Sequence, residues 1–160
     1  MGVGKGTTAR AFAKKYNIYN IDTDDLIESK EKKEVKKIFA KKGEAYFRAQ
    51  EQATADWIET SVSGTFISCG GGFYKVNNLK KLGTVVLLDA SFEWIHNRLK
   101  TAKNAKNKLA KRPLFSQEKE AKKLYSEREK AYKKLADVVI DVENLSLDEQ
   151  LDEIAKKCKP

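Results

Sequence analysis

The segment Gly2-Val3-Gly4-Lys5-Gly6-Thr7-Thr8 sets glycines, one lysine and two threonines directly ahead of a helical run over residues 9–15. Glycines let backbone N–H groups turn toward an anion, a helix start adds positive partial charge, and a lysine there reaches outer phosphates. The segment matches the second half of the pattern G-x-x-x-x-G-K-[ST]. The first glycine of that pattern would precede Met1, and Gly6 stands where a hydroxyl is usual, with Thr7 one step later. A solvated glycine-rich turn would read the same way, so the rest of the chain must decide.

Three other groups could do chemistry. Asp22-Thr23-Asp24 follows an alternating run over 16–21, and carboxylates at a strand's C-terminal end are placed for a metal or a substrate hydroxyl. An aspartate or threonine here can equally cap the helix that begins near Asp25. Arg48 and Glu51 are three apart and share a helix face. They make either a surface ion pair worth little or a glutamate holding an arginine fork for a carboxylate ligand. Gly70-Gly71-Gly72 ends the apolar run 65–69 with more glycine than a turn needs, which lets a ligand approach bare backbone. Only five of the 32 basic residues are arginine: Arg10, Arg48, Arg98, Arg112 and Arg128. In so lysine-rich a chain, each is a candidate for work that needs a planar, bidentate fork.

Stepping along the sequence, a helix precedes the strand at 16–21, and a lysine-rich helical piece spans 30–43, closed by Gly43. A longer amphipathic helix runs from Glu44 to Ser61. After the strand at 65–69 come a short helix over 77–83, a strand at 84–88, and a helix opened by Ser91. His96 on that helix has no metal or triad partners nearby in sequence. Residues 100–115 are basic and polar and end in Arg112-Pro113, the composition of a mobile lid or of an idle loop. A helix over 117–135, a strand over 137–142 and a last helix behind the capping box Ser146–Glu149 complete the chain. Strands alternating with helices predict an α/β fold, a parallel sheet with helices on both faces.

The 160 residues suit one domain with a real core. A net charge of +9 invites a nucleic-acid reading, but the lysines are interleaved with glutamates over nearly every helix. The aromatic-basic interleaving of single-strand binders is missing, so no nucleic-acid partner is expected. No apolar run approaches the roughly 18–20 residues of a membrane span. Cys69 and Cys158 lie far apart without CxxC spacing, which argues against a disulfide framework or zinc site and fits a reducing cytoplasm.

Taken in order, the phosphate loop, Asp22-Thr23-Asp24, Phe47-Arg48, Gly70-Gly71-Gly72 and Arg112-Pro113-Leu114-Phe115 resemble a shikimate kinase over essentially all 160 residues. The resemblance implies a single P-loop kinase domain over 1–160 with a lid at about 100–115. It implies transfer of the ATP γ-phosphoryl group to the 3-hydroxyl of shikimate, by a cytoplasmic monomer. Gly2, Gly4, Lys5, Gly6, Thr7 and Thr8 would then hold ATP, with Lys5 on the β- and γ-phosphates and Arg98 against the adenine. Asp22 would hold Mg²⁺ through water, and either a water or Thr7 would take the place of the hydroxyl missing at Gly6. Asp24 would bind the acceptor hydroxyls and orient or deprotonate the nucleophile. Arg48 and Arg128 would clamp the carboxylate with Glu51 as support, Gly70, Gly71 and Gly72 would present backbone, and Arg112 would reach the transferring phosphoryl group. Gluconate or a nucleoside monophosphate as acceptor, or ATP binding without turnover, are the alternatives. The family also begins with an apolar strand ahead of the loop. None stands ahead of Gly2, so that strand is expected to be encoded upstream of Met1.

Overall fold

The computed structural model describes residues 2–101 and 118–158, which divide into two compact units. The first takes in Lys5–Val85 and Cys158. Its helix α1, Lys5–Tyr16, buries Thr8, Ala9, Phe12 and Ala13, positions that recur at helical spacing on one face. It stops because Asn17 adopts a left-handed conformation, φ 52°, while Ile18 N–H donates to Ala13 O at 3.0 Å. That six-to-one bond is a Schellman cap. The cap delays the strand expected from Tyr16, and β1 runs Tyr19–Asp22.

Helix α2, Thr23–Glu31, follows β1 without a linker, and α3, Val35–Ser61, carries a break at Gly43 (φ 80°, ψ 173°). This is the division that Gly43 suggests in the sequence. Ile27 of α2 packs with Ile38 and Phe47 of α3, so the residue beside Arg48 is anchored in a buried cluster. Farther along α3, Ala55 and Ile58 pack with Phe73 and Val76. Strand β2, Thr65–Ser68, pairs parallel with β1, Asp22 lying opposite Ser68. The short helix expected over 77–83 is a single 3₁₀ turn, Leu79–Lys81. Side chains of α3 take the polar groups just before it: Gln52 accepts from Asn77 N–H at 2.9 Å and Glu59 from Asn78 Nδ2 at 2.6 Å.

The second unit joins the residues up to Gly4 to Val86–Lys157. Strands β3, Val86–Asp89, and β4, Val138–Asp141, pair parallel with Asp89 opposite Asp141. Helix α4, Phe92–Thr101, buries Phe92, Ile95, His96 and Leu99. Its first turn is capped by Ser91 Oγ, which accepts from Trp94 N–H at 3.2 Å. Helix α5, Glu118–Leu135, is tied back by Tyr125, whose hydroxyl donates to Ala90 O at 2.7 Å. Helix α6, Leu147–Lys157, starts at the expected capping box, with Ser146 N–H on Glu149 Oε2 at 2.7 Å and Glu149 N–H on Ser146 Oγ at 3.4 Å. Among the described residues the parallel strands are thus organised as two pairs. No helix among the described residues is long and apolar enough to cross a membrane.

Candidate active site

In the first unit, β1 and β2 end side by side at Asp22 and Ser68, and ligands of parallel sheets gather at that edge. Asp22 caps α2: its Oδ1 accepts from Asp24 N–H at 2.9 Å and Asp25 N–H at 3.4 Å. Both bonds fall on one oxygen, so the cap reading is realised with half of the carboxylate. Thr23 is fully buried, and its Oγ1 accepts from Gly70 N–H at 2.9 Å. Asp24 follows and lies against that same glycine.

The glycine run has a use within the protein beside the one its composition suggests. A Cβ at Gly70 would collide with the Asp24 carboxylate, and one at Gly72 with the Arg48 guanidinium. Bare backbone at 70 and 72 therefore lets two polar side chains lie flat against the turn, with Gly71 between them. Signals for an acid and for an arginine fork, far apart in sequence, converge here on three residues.

Electrostatics mark Asp24 out. Burial, and then the nearby charges of Asp22 and Glu51, push its pKa from the ordinary 3.8 to about 6, against the pull of Lys5. A carboxyl so placed sits near the range useful to a general base. Neighbouring Cys69 is the opposite case, since burial pushes its thiol up to about 12 and it stays protonated.

Arg48 is gripped from two sides. Its Nη1 donates to Glu51 Oε2 at 2.5 Å, while Nε and Nη2 both reach Glu44 Oε1, at 3.0 and 2.9 Å. Burial lowers the Arg48 pKa, but the bonds to Glu51 and Glu44 outweigh it and the pKa is raised. Glu51 is only 1% exposed, so this is no surface ion pair. Its Oε1 is buried without a hydrogen bond among the described residues, a cost that cores avoid and functional sites carry. Glu44, read from the sequence only as a helix start, is detectable there as the i−4 acidic neighbour of Arg48.

Lys5 opens α1, so the N–H groups of its first three residues, through Thr7, have no carbonyl to reach within the helix. Thr7 is exposed. The Thr8 side chain is 3% exposed and packs inward. At Gly6 an added Cβ would stand 3.3 Å from the Arg10 guanidinium, which folds back along the helix.

The second unit holds Gly2 and Gly4, with φ of 72° and 111°. Arg98 reaches this stretch: its Nη1 donates to Val3 O at 2.6 Å, and its guanidinium lies 5.1 Å from the Trp94 ring centre. A Cβ at Gly4 would press on the same guanidinium at 3.0 Å. The arginine expected against adenine thus holds the loop backbone and an indole. Arg128 lies on α5, partly buried. Arg112 and the lid expected at 100–115 fall outside the described residues, except Lys100 and Thr101, which end α4.

Known proteins give this geometry its context. The family model for shikimate kinase matches residues 1–159. The shikimate kinase of Helicobacter hepaticus is 37% identical over 157 residues, 98% of this chain and 88% of that protein. The crystal structure of shikimate kinase from Bacteroides thetaiotaomicron superposes with a TM-score of 0.81 at 25% identity, covering 98% of this chain and 92% of that one. Shikimate kinase from Acinetobacter baumannii, solved in complex with shikimate, has a TM-score of 0.71 at 22% identity over 98% of this chain and 87% of that one, a likeness of fold.

Proposed function

The chain belongs to the shikimate kinase family, and from that premise we propose that it moves the γ-phosphoryl group of ATP onto the 3-hydroxyl of shikimate. The observation that carries the reading is the seating of Asp24 and Arg48 on the Gly70–Gly72 turn, an acid and a carboxylate-binding fork on one rigid support. Asp24 holds the acceptor hydroxyl and, ionised above pH about 6, takes its proton as the bond to phosphorus forms. Arg48, fixed by Glu51 and Glu44, pairs with the substrate carboxylate through the face those glutamates leave open, and Arg128 is the second fork. The Gly70–Gly72 backbone borders the ring.

On the nucleotide side, the N–H groups that open α1 and the Lys5 ammonium receive the phosphates. Arg98 keeps the Val3 peptide oriented, and Arg112 is assigned to the transferring group. Phosphoryl transfer is mostly positioning and charge neutralisation, which this set of residues supplies.

Mg²⁺ fits the same residues. It takes one or two carboxylates plus phosphate oxygens and keeps several waters, so it needs no protein cage. Asp22 commits a single oxygen to its cap, and Thr7 is exposed at the helix start. These two would hold the ion, which when bound supplies positive charge on the β- and γ-phosphates. We also assign the protein to the cytoplasm as a monomer; Cys69 and Cys158, far apart in sequence and without CxxC spacing, are in keeping with a reducing compartment.

A coupled ADP-release assay with ATP and Mg²⁺ tests the reading. Shikimate should stimulate release, whereas gluconate and AMP should not. Equal stimulation by either of the latter would remove the assignment.

A further inference from the structure

We propose that Thr23 is a positioning residue for phosphoryl transfer: its buried hydroxyl fixes Gly70 beneath the Asp24 carboxylate and so sets where the acceptor hydroxyl sits. The inference rests on the role given above to Asp24.

The parallel ladder of β1 and β2 ends with Asp22 opposite Ser68. Beyond it the two chains part, because α2 begins at Thr23 and carries the backbone carbonyls away. Gly70, two residues past Ser68, still points its N–H toward β1, and the Thr23 hydroxyl receives it at 2.9 Å. A side chain thus stands in for the strand carbonyl that the helix has removed, adding one more rung at the site's edge. Thr23 is 0% exposed, so neither solvent nor another rotamer readily replaces that bond.

What this rung holds matters because of the residue beside it. Gly70 carries no side chain, and the Asp24 carboxylate occupies the place where one would be. Thr23 and Asp24 are adjacent on the first turn of α2, one binding the Gly70 N–H and the other lying over its Cα. Helix and glycine turn are therefore registered to each other at a single residue. If Gly70 shifts, the floor under the carboxylate shifts with it, and a displacement of about 1 Å can cost on the order of a hundredfold in rate. Valine matches threonine in shape and offers no acceptor.

Thr23→Val should lower kcat by about tenfold or more and raise the KM for shikimate, with the KM for ATP unchanged. Thr23→Ser should restore both. Deuterium exchange at the Gly70 amide should speed up in Thr23→Val and not in Thr23→Ser. A purely structural role would lower the melting temperature while leaving the kcat of folded enzyme intact, and that result overturns the proposal. So does a Thr23→Ser variant as impaired as Thr23→Val. Should Thr23→Val fail to fold, Thr23→Ala against Thr23→Ser reads the same contrast. Asp24→Asn run in parallel separates the two claims. Lost turnover there with a normal Thr23→Val sinks the Thr23 role alone, whereas normal turnover in Asp24→Asn sinks the reading of Asp24 and this inference with it.

Discussion

Asp24 carries a conflict between stability and function that can be measured. Its folded pKa, about 6, lies above its ordinary value of 3.8, so the folded protein prefers the protonated acid. Below pH 3.8 both states are protonated and nothing is lost. As pH rises from 3.8 to about 6 the unfolded chain ionises first, and folding loses up to about 3 kcal/mol that is not recovered above pH 6. In the role proposed for Asp24 catalysis runs the other way, since only the ionised carboxylate can accept a proton. Turnover should therefore fall about tenfold per unit below pH 6. Asp24→Asn should raise the melting temperature at pH 7 while abolishing turnover, read by calorimetry and by ADP release. A variant both less stable and active would contradict the account. The carboxylates and the Arg48–Glu51 pair were legible in the sequence because their partners are local, two or three residues apart. Thr23 was not, because its meaning depends on Gly70, 47 residues away.

Elements show a similar boundary. Most helices with apolar positions at 3.6-residue spacing, and strands read as short apolar runs, lie near where periodicity puts them. The helical piece expected over 30–43 is instead divided: a left-handed cap at Lys32 (φ 51°) ends α2 at Glu31, and α3 begins at Val35. The start of β1 was misplaced because Asn17 takes a left-handed cap that no hydrophobic pattern reports. The glycine run was recognised as significant, but its immediate occupants are the protein's own Asp24 and Arg48. This makes a specific prediction for Gly72→Ala. The new methyl group must displace the Arg48 guanidinium, whose tip is held by Glu51 at 2.5 Å and by Glu44 at 2.9 Å. Because the end of a side chain moves and backbone does not, the melting temperature should change little. The fork's bidentate geometry is lost, a penalty on the order of 1–3 kcal/mol, so shikimate affinity should fall about tenfold or more. ATP affinity should hold. Titrating each ligand separately checks this, and an equal loss for both would argue against a carboxylate fork at Arg48.

For the whole molecule, composition was a weak guide and the ordered set of motifs a strong one. A charge of +9 spread over lysine-rich helices specifies no ligand, whereas five motifs in sequence order on alternating strands and helices point to one family, which the comparisons bear out. The register within each parallel pair among the described residues was not legible, because it depends on long-range contacts that local pattern does not report. The most direct test of the central claim, that this chain phosphorylates shikimate at one defined hydroxyl, is ³¹P NMR of a reaction containing the protein, ATP, Mg²⁺ and shikimate. The account predicts a single new phosphomonoester signal, scalar-coupled to the proton at carbon 3 and growing in step with ADP. A phosphoryl group on another hydroxyl, or ADP and inorganic phosphate with no shikimate ester, would contradict it.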